Sequence, residues 1–351
     1  MVRKNDPMPV ELRFTGTRPA TTVWTSGLTL EHAARHAELW EIDLVPTSAA
    51  HSPSKATLVM TQVACIDGAA PRPSRDGTVR PLHRVRPDSD VLRFPCGRIR
   101  MERKSPTVHV DWISCDETHG GPSPDLMETA MGLAVAPLGV ACLHAVGFQI
   151  GCHTVLGVGD SGSGKSTIAA AAIRSGGRVA SDDALLAYAC DGRVEAGPFR
   201  RYFSFRDASL HVLPTRLAER STPDVGAHIL DRRFCSDSLA SILAPTQVWR
   251  LRIDRRLRFS RIRPISRPDT LIALMSSTSL LTLSPRHPEA RDRVLSVLTG
   301  LAETCHGFDV RLGRDLLERP ERAIEHLFRE TGIHETDPIA APPGVSTTDE
   351  F

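Results

Sequence analysis

Gly159, Gly164, Lys165 and Ser166 stand at the spacing Gly-x-x-x-x-Gly-Lys-Ser, directly after a short apolar run over residues 154–158. The chemistry served by that spacing is the grip on a di- or triphosphate. Successive backbone N–H groups curl around the anion only where side chains are absent, hence the glycines. Gly159, Asp160, Ser161, Gly162, Ser163, Gly164, Lys165, Ser166 and Thr167 are therefore read as the nucleotide-binding residues. Lys165 would reach the β- and γ-phosphates, and the Ser166 hydroxyl would be a ligand of Mg²⁺. The bland alternative is a chance match in a Gly-Ser turn, and the flanks argue against it. A buried strand enters the loop, an Ala-rich helix from Lys165 to Arg174 leaves it with its N-terminus toward the anion, and Gly176-Gly177 offer a C-cap.

Binding a nucleotide is not yet chemistry. Phosphoryl transfer also needs Mg²⁺ held by a carboxylate, and an acceptor hydroxyl gains from a base. Asp182-Asp183 closes the first short apolar segment after the loop helix, which places the pair at a strand end beside the loop. Adjacent strand side chains point to opposite faces, but a turning backbone lets one carboxylate face metal and the other the acceptor. A pair of exposed turn aspartates is the alternative. His144 stands upstream of the loop, after an apolar stretch, and alone would be a structural histidine more often than a catalytic one. His153 falls where a surface turn is expected. Arg200 and Arg201 read as solvated loop arginines before they read as phosphate ligands.

The elements that must position these residues come in two blocks. Residues 1–123 form a β-rich N-terminal domain, with alternating strands over 10–14, 57–63, 92–94, 98–101 and 108–112 and a helix over 29–40. Its Pro- and Arg-rich segment 68–90 reads as an exposed loop. Residues 124–333 form an α/β domain built on the phosphate loop. It opens with an apolar helical stretch over 124–142, interrupted by Pro137. It continues through strands over 178–183 and 184–189 with a turn at Asp191-Gly192, and then an Arg-lined hairpin over 246–266. Ser266 opens a helix with Asp269 at a near capping-box position. A helix over 288–304, a strand over 307–311 and a helix over 320–330 follow. Residues 334–351 lack apolar periodicity and read as a disordered tail.

Composition narrows the classes. The 351 residues are 41% hydrophobic and 24% charged with a net charge of +2, so there is no general attraction to nucleic acid or to an anionic membrane. Only Lys4, Lys55, Lys104 and Lys165 supply lysine among 43 basic residues, a GC-rich bias that makes the loop lysine stand out. No apolar run approaches the roughly 18 residues of a membrane span. The eight cysteines are scattered without a Cys-x-x-Cys pair, neither a zinc site nor a disulfide framework, and a cytoplasmic protein is expected.

Three segments, Leu143-His144-Ala145, the loop Gly159–Ser166 and Gly177-Arg-Val-Ala-Ser-Asp182-Asp183, together resemble the catalytic domain of the HPr kinase/phosphorylase family. The resemblance covers residues 140–330, most closely 143–190. It implies a P-loop kinase core related to ATP-dependent phosphoenolpyruvate carboxykinase, using ATP and Mg²⁺. Asp182 would then be the base for an acceptor serine, Asp183 would help hold Mg²⁺ with Ser166, and His144 would lie near the transferring phosphate. The two aspartates can exchange roles. Thr167 stands where the bifunctional enzymes usually carry Glu, Arg178 where they tend to have His, and their later signature segment has no clear counterpart. The N-terminal block looks more like that of HPr-kinase-like proteins found beside peptide-modification genes, lasso-peptide clusters among them. The resemblance thus implies a serine kinase without phosphorylase activity, acting on a peptide or protein partner, with a homo-oligomer open. A nucleotide-binding regulatory module and a small-molecule kinase are the alternatives. Neither a Leu-Ser-Gly-Gly-Gln nor an Asn-Lys-x-Asp motif is present, which argues against an ABC-type ATPase and a GTPase.

Overall fold

The computed structural model describes residues 8–12, 21–26, 57–62, 82–85, 89–95, 97–102, 107–112, 124–190, 192–200, 202–224, 227–240, 243–278 and 287–333. The expected helix over 29–40, most of the loop segment 68–90 and the tail 334–351 lie outside the described residues. The chain divides into two compact units: residues 1–142, 199–201 and 278–296, and residues 143–198, 202–277 and 297–351.

The first unit is a seven-stranded mixed sheet of β1 (Met8–Leu12), β2 (Thr21–Ser26), β3 (Thr57–Gln62), β4 (Leu82–Val85), β5 (Ser89–Phe94), β6 (Gly97–Glu102) and β7 (Thr107–Trp112), in the order β1-β2-β3-β7-β6-β5-β4. β3 runs parallel to β2 and β7, and the remaining pairs are antiparallel. Period-two burial of Ile99 with Met101 and of Val108 with Val110 gives this sheet one apolar face. Helix α1 (Pro124–Val135) packs on β3, β6 and β7. β4 falls inside the segment read as a loop: its Arg and Pro content hid a short edge strand.

The second unit is built on a mixed sheet of eight strands with helices against it, an α/β arrangement. Its strands are β8 (Val140–Ile150), β9 (His153–Val158), β10 (Arg178–Ser181), β11 (Ala184–Cys190), β12 (Arg193–Pro198), β16 (Gln247–Ile253), β17 (Arg261–Pro264) and β18 (His306–Leu312), in the order β12-β11-β8-β9-β16-β18-β17 with β10 also on β8. β9, β16 and β18 are parallel, and the residues that fill one of their faces are apolar: Val155, Trp249, Leu251, Phe308, Val310 and Leu312 are all buried. Against that face lie α2 (Lys165–Arg174), whose residues from Ile168 to Ile173 are all buried, and α6 (Pro320–Thr331). Phe328 of α6 sits 5.2 Å from Trp249 and 6.4 Å from Phe148, centroid to centroid. The buried Trp249 indole donates to Gln247 at 2.7 Å, so its one polar atom is satisfied. A small sheet of β13 (Tyr202–Phe205), β14 (Thr222–Asp224) and β15 (Ala227–Asp231) precedes α4 (Arg267–Ser276) and α5 (Pro288–Thr304). Among the described residues no helix is long and apolar enough to cross a membrane.

Several expectations need correction. The apolar stretch 124–142 is not one helix. It ends at Val135, turns through a 3-10 segment over Ala136–Leu138 and a left-handed Gly139, and becomes β8 at Val140. His144 is therefore a strand residue. His153 is the first residue of β9 and stacks on Phe328 at 4.8 Å instead of sitting in a turn. The expected Arg-lined hairpin does not form either, because β18 inserts between β16 and β17. Arg200 is no solvated arginine: it is buried and pairs with Glu128 inside the first unit. Arg201 lies outside the described residues. The Ser266 cap is as read, with its hydroxyl accepting from the Asp269 N–H at 3.2 Å.

Candidate nucleotide site

The loop follows from the ends of the parallel strands. β9 stops at Val158, and the chain must reverse into α2 within six residues while passing the main chain of β16. Only glycine fits at the first position. A Cβ on Gly159 would lie 2.6 Å from the Leu251 carbonyl oxygen and 2.7 Å from Ser163 Oγ. Gly164 caps α2 at φ +101, a left-handed conformation costly for other residues, with Leu312 filling the space a side chain would need. Asp160 and Ser161 are exposed at the tip, and Ser163 N–H closes the turn on Asp160 O at 3.0 Å.

Lys165 is buried at the first turn of α2, and its ammonium donates to the carbonyls of Gly159 at 2.8 Å and Asp160 at 3.1 Å. Burial pushes its pKa down, with Arg206 adding to this, while Asp183, Asp160 and Asp182 pull it back up. Ser166 follows it, half-buried, and Thr167 shares a 2.8 Å hydrogen bond with the buried Ser209 of α3 (Asp207–Leu210). That contact brings α3, and Arg206 just before it, to the loop.

The aspartates sit where β10 gives way to β11. Both strands lie along β8, and the register on β8 slips between Val179 and Ser181. This irregularity re-aims the side chains that follow it. Ser181 Oγ accepts from the N–H groups of Asp183 at 3.2 Å and Ala184 at 3.0 Å, fixing the bend. Asp182 is driven inward and is 1% exposed. Its Oδ2 accepts from Ser204 N–H at 3.1 Å, whereas its Oδ1 has no partner among the described residues. Burial, then the neighbouring Asp183 charge, raises its pKa to about 8, with the Ser204 N–H bond and the nearby Ser166 hydroxyl opposing. Asp183 points the other way, toward solvent, and its Oδ1 is 3.1 Å from His144 Nδ1. His144 is held by its own N–H, which donates to Ser277 O at 2.6 Å, while the next N–H, Ala145, donates to Asp183 O.

The second unit thus brings the loop, Ser166 and Asp182 together, and joins Asp183 to His144. Ser204, Arg206 and Ser209 were not legible as site residues, since β11 and β12 separate them from the aspartates and no motif surrounds them. Thiols offer no competing nucleophile at Cys235 and Cys305, where burial raises the pKa to about 11 and about 12.

No model of a known family matches the chain, and no curated protein matches it by sequence. Among solved structures it is similar to the HPr(Ser) kinase/phosphatase from Coxiella burnetii, at 14% identity and a TM-score of 0.28, over 54% of this chain and 95% of that one. At so low a score the functional reading rests on the chain's own residues.

Proposed function

We propose that the chain is an Mg²⁺- and ATP-dependent kinase that passes the γ-phosphate to a serine hydroxyl of a peptide or protein, without phosphorylase activity. The observation that carries this reading is the convergence of a complete phosphate loop with a buried carboxylate, Asp182, near enough to the loop's own Ser166 for that hydroxyl to lower its pKa. The donor set fits a hard cation: a carboxylate oxygen with no partner among the described residues and a serine hydroxyl nearby, both oxygen donors. When bound, Mg²⁺ supplies charge neutralisation for the transferring phosphoryl group.

The geometry supports the reversed order of the two aspartates. Asp182 is too deep for an acceptor to reach and lies near Ser166, which suits it to the metal. Asp183 is 23% exposed and oriented by His144, which suits it to the acceptor. On this reading Asp183 takes the proton as the serine oxygen bonds to the γ-phosphorus and the bond to the β-phosphate oxygen breaks, releasing ADP. Loop amides and Lys165 hold the phosphate oxygens as charge shifts to the leaving group. His144 positions Asp183.

The test uses γ-labelled ATP, Mg²⁺ and size-separated fractions of the host's extract. Transfer to a peptide or protein fraction is expected. Asp183→Asn should lower kcat by on the order of 100-fold with the Mg²⁺ requirement unchanged, whereas Asp182→Asn should raise the Mg²⁺ concentration needed. Label only in small molecules would mean a small-molecule kinase. Tight ATP binding with no transfer to any fraction would mean a regulatory module.

A further inference from the structure

Five arginines share one face of the sheet's outer three strands. Strand pairing sets Arg250, Asp309 and Arg263 side by side in one row, and Arg252, Arg311 and Arg261 in the next. Alternation along each strand puts all six on the face opposite the core residues Leu251, Val310 and Ile262. The first row is compensated. Asp309, with a fully buried side chain, accepts from Arg250 at 2.8 Å, Arg252 at 3.0 Å and Arg263 at 3.2 Å. The second row is arginine opposite arginine across three strands, an arrangement that works against pairing. Arg311 approaches Asp309 only to 4.0 Å, and Arg261 has no acidic partner among the described residues. Arg252, Arg263 and Arg311 are 53%, 65% and 49% exposed. Arg261, Arg263, Asp309 and Arg311 line a depression of about 290 Å³ there.

We infer that this face is a docking site for the acidic segment of a peptide, the flank of the acceptor serine. Five guanidiniums beside one carboxylate present forked donors to incoming carboxylates, with Asp309 holding those of Arg250, Arg252 and Arg263 in place and leaving Arg261 and Arg311 for the ligand. The patch spans about 10 Å across three strands, the scale of two or three side chains and too short to track a nucleic-acid backbone. β17 is the outermost strand of the sheet among the described residues, and an extended segment could run alongside it. The location fits an acceptor as well. Arg252 lies between Leu251 and Ile253, which abut Gly159 and Gly164, and Arg311 precedes Leu312, which abuts Gly164. The inference rests on the kinase reading for the fate of the bound peptide, not for its binding.

The probes are a fluorescent peptide with a central serine flanked by three glutamates on each side, and its glutamine counterpart. Binding to the full chain is read by anisotropy, and transfer from labelled ATP is read separately. The glutamate peptide should bind and the glutamine peptide should not. Arg261→Glu, and independently the double variant Arg261→Gln with Arg311→Gln, should weaken binding at least tenfold while leaving affinity for an ATP analogue and the melting temperature unchanged. Equal binding of both peptides, or of wild type and variants, overturns the docking site. Tighter, variant-sensitive binding of an oligothymidylate of equal charge overturns it in favour of nucleic acid. Variant-sensitive peptide binding without phosphate transfer keeps the docking site and removes the kinase reading. Transfer to the peptide that both variants leave unchanged does the reverse.

Discussion

Gly159 and Asp309 show how single positions carry the site and its support. A methyl group at Gly159 has nowhere to go, since the Leu251 carbonyl belongs to a central strand and cannot yield. Gly159→Ala should therefore lower ATP affinity by at least about tenfold, measured by isothermal titration, with little change in melting temperature because the loop tip is exposed. Asp309 is the converse case, a stability residue. Burial raises its pKa, and Arg250, Arg252 and Arg263 more than offset this, holding the carboxyl below its ordinary value of 3.8. A lowered carboxylate pKa stabilises the fold above the unfolded-state value, and that gain is lost as pH falls through the folded one. Asp309→Asn leaves the arginines unpaired and should cost about 3 kcal/mol at neutral pH, by urea titration. The gap between wild type and variant should narrow as pH drops below 4, in step with protonation of the wild-type carboxyl.

At the scale of elements, α2 and α6 hold the phosphate loop at the ends of β9 and β16. α6 does so with an apolar stripe of Ala323, Ile324, Leu327 and Phe328. Leu327→Ala should destabilise the second unit by about 3 kcal/mol, read as a shifted urea midpoint. Elements of this kind were legible in the sequence. The loop, the helix from Lys165 to Arg174, the turn at Gly192 between β11 and β12 and the Ser266 cap each announce themselves within a few residues. What escaped was non-local. Nothing near residue 260 reveals that residues 306–312 separate β16 from β17, so consecutive strands looked like a hairpin. An apolar stretch running past Pro137 hid the change from helix to strand at Gly139, because a helix and a strand that are both buried need the same residues. The bend at Asp182-Asp183 was readable as a strand end, but the slipped register that turns one carboxylate inward was not.

At the scale of the whole molecule, each unit gathers segments far apart in the chain. The first takes in residues 278–296, including the buried Ala290 and Val294 and His287, which lies 3.7 Å from the buried Asp90. A fragment ending at residue 142 lacks all of these. It should lose the cooperative unfolding transition of the full chain and bind a hydrophobic dye, as checked by thermal melts with and without the dye. The second unit has the same property at its most consequential point. The phosphate loop is written between residues 159 and 166, but its walls are Leu251 and Leu312. A ribosome that has just delivered the motif has therefore made only a flexible glycine-rich string. The pocket closes after β18 has left the exit tunnel and slotted in beside β16. On the proposed reading, a nascent chain arrested at residue 260 would carry every letter of the motif, lack the Leu312 wall, and bind ATP weakly if at all.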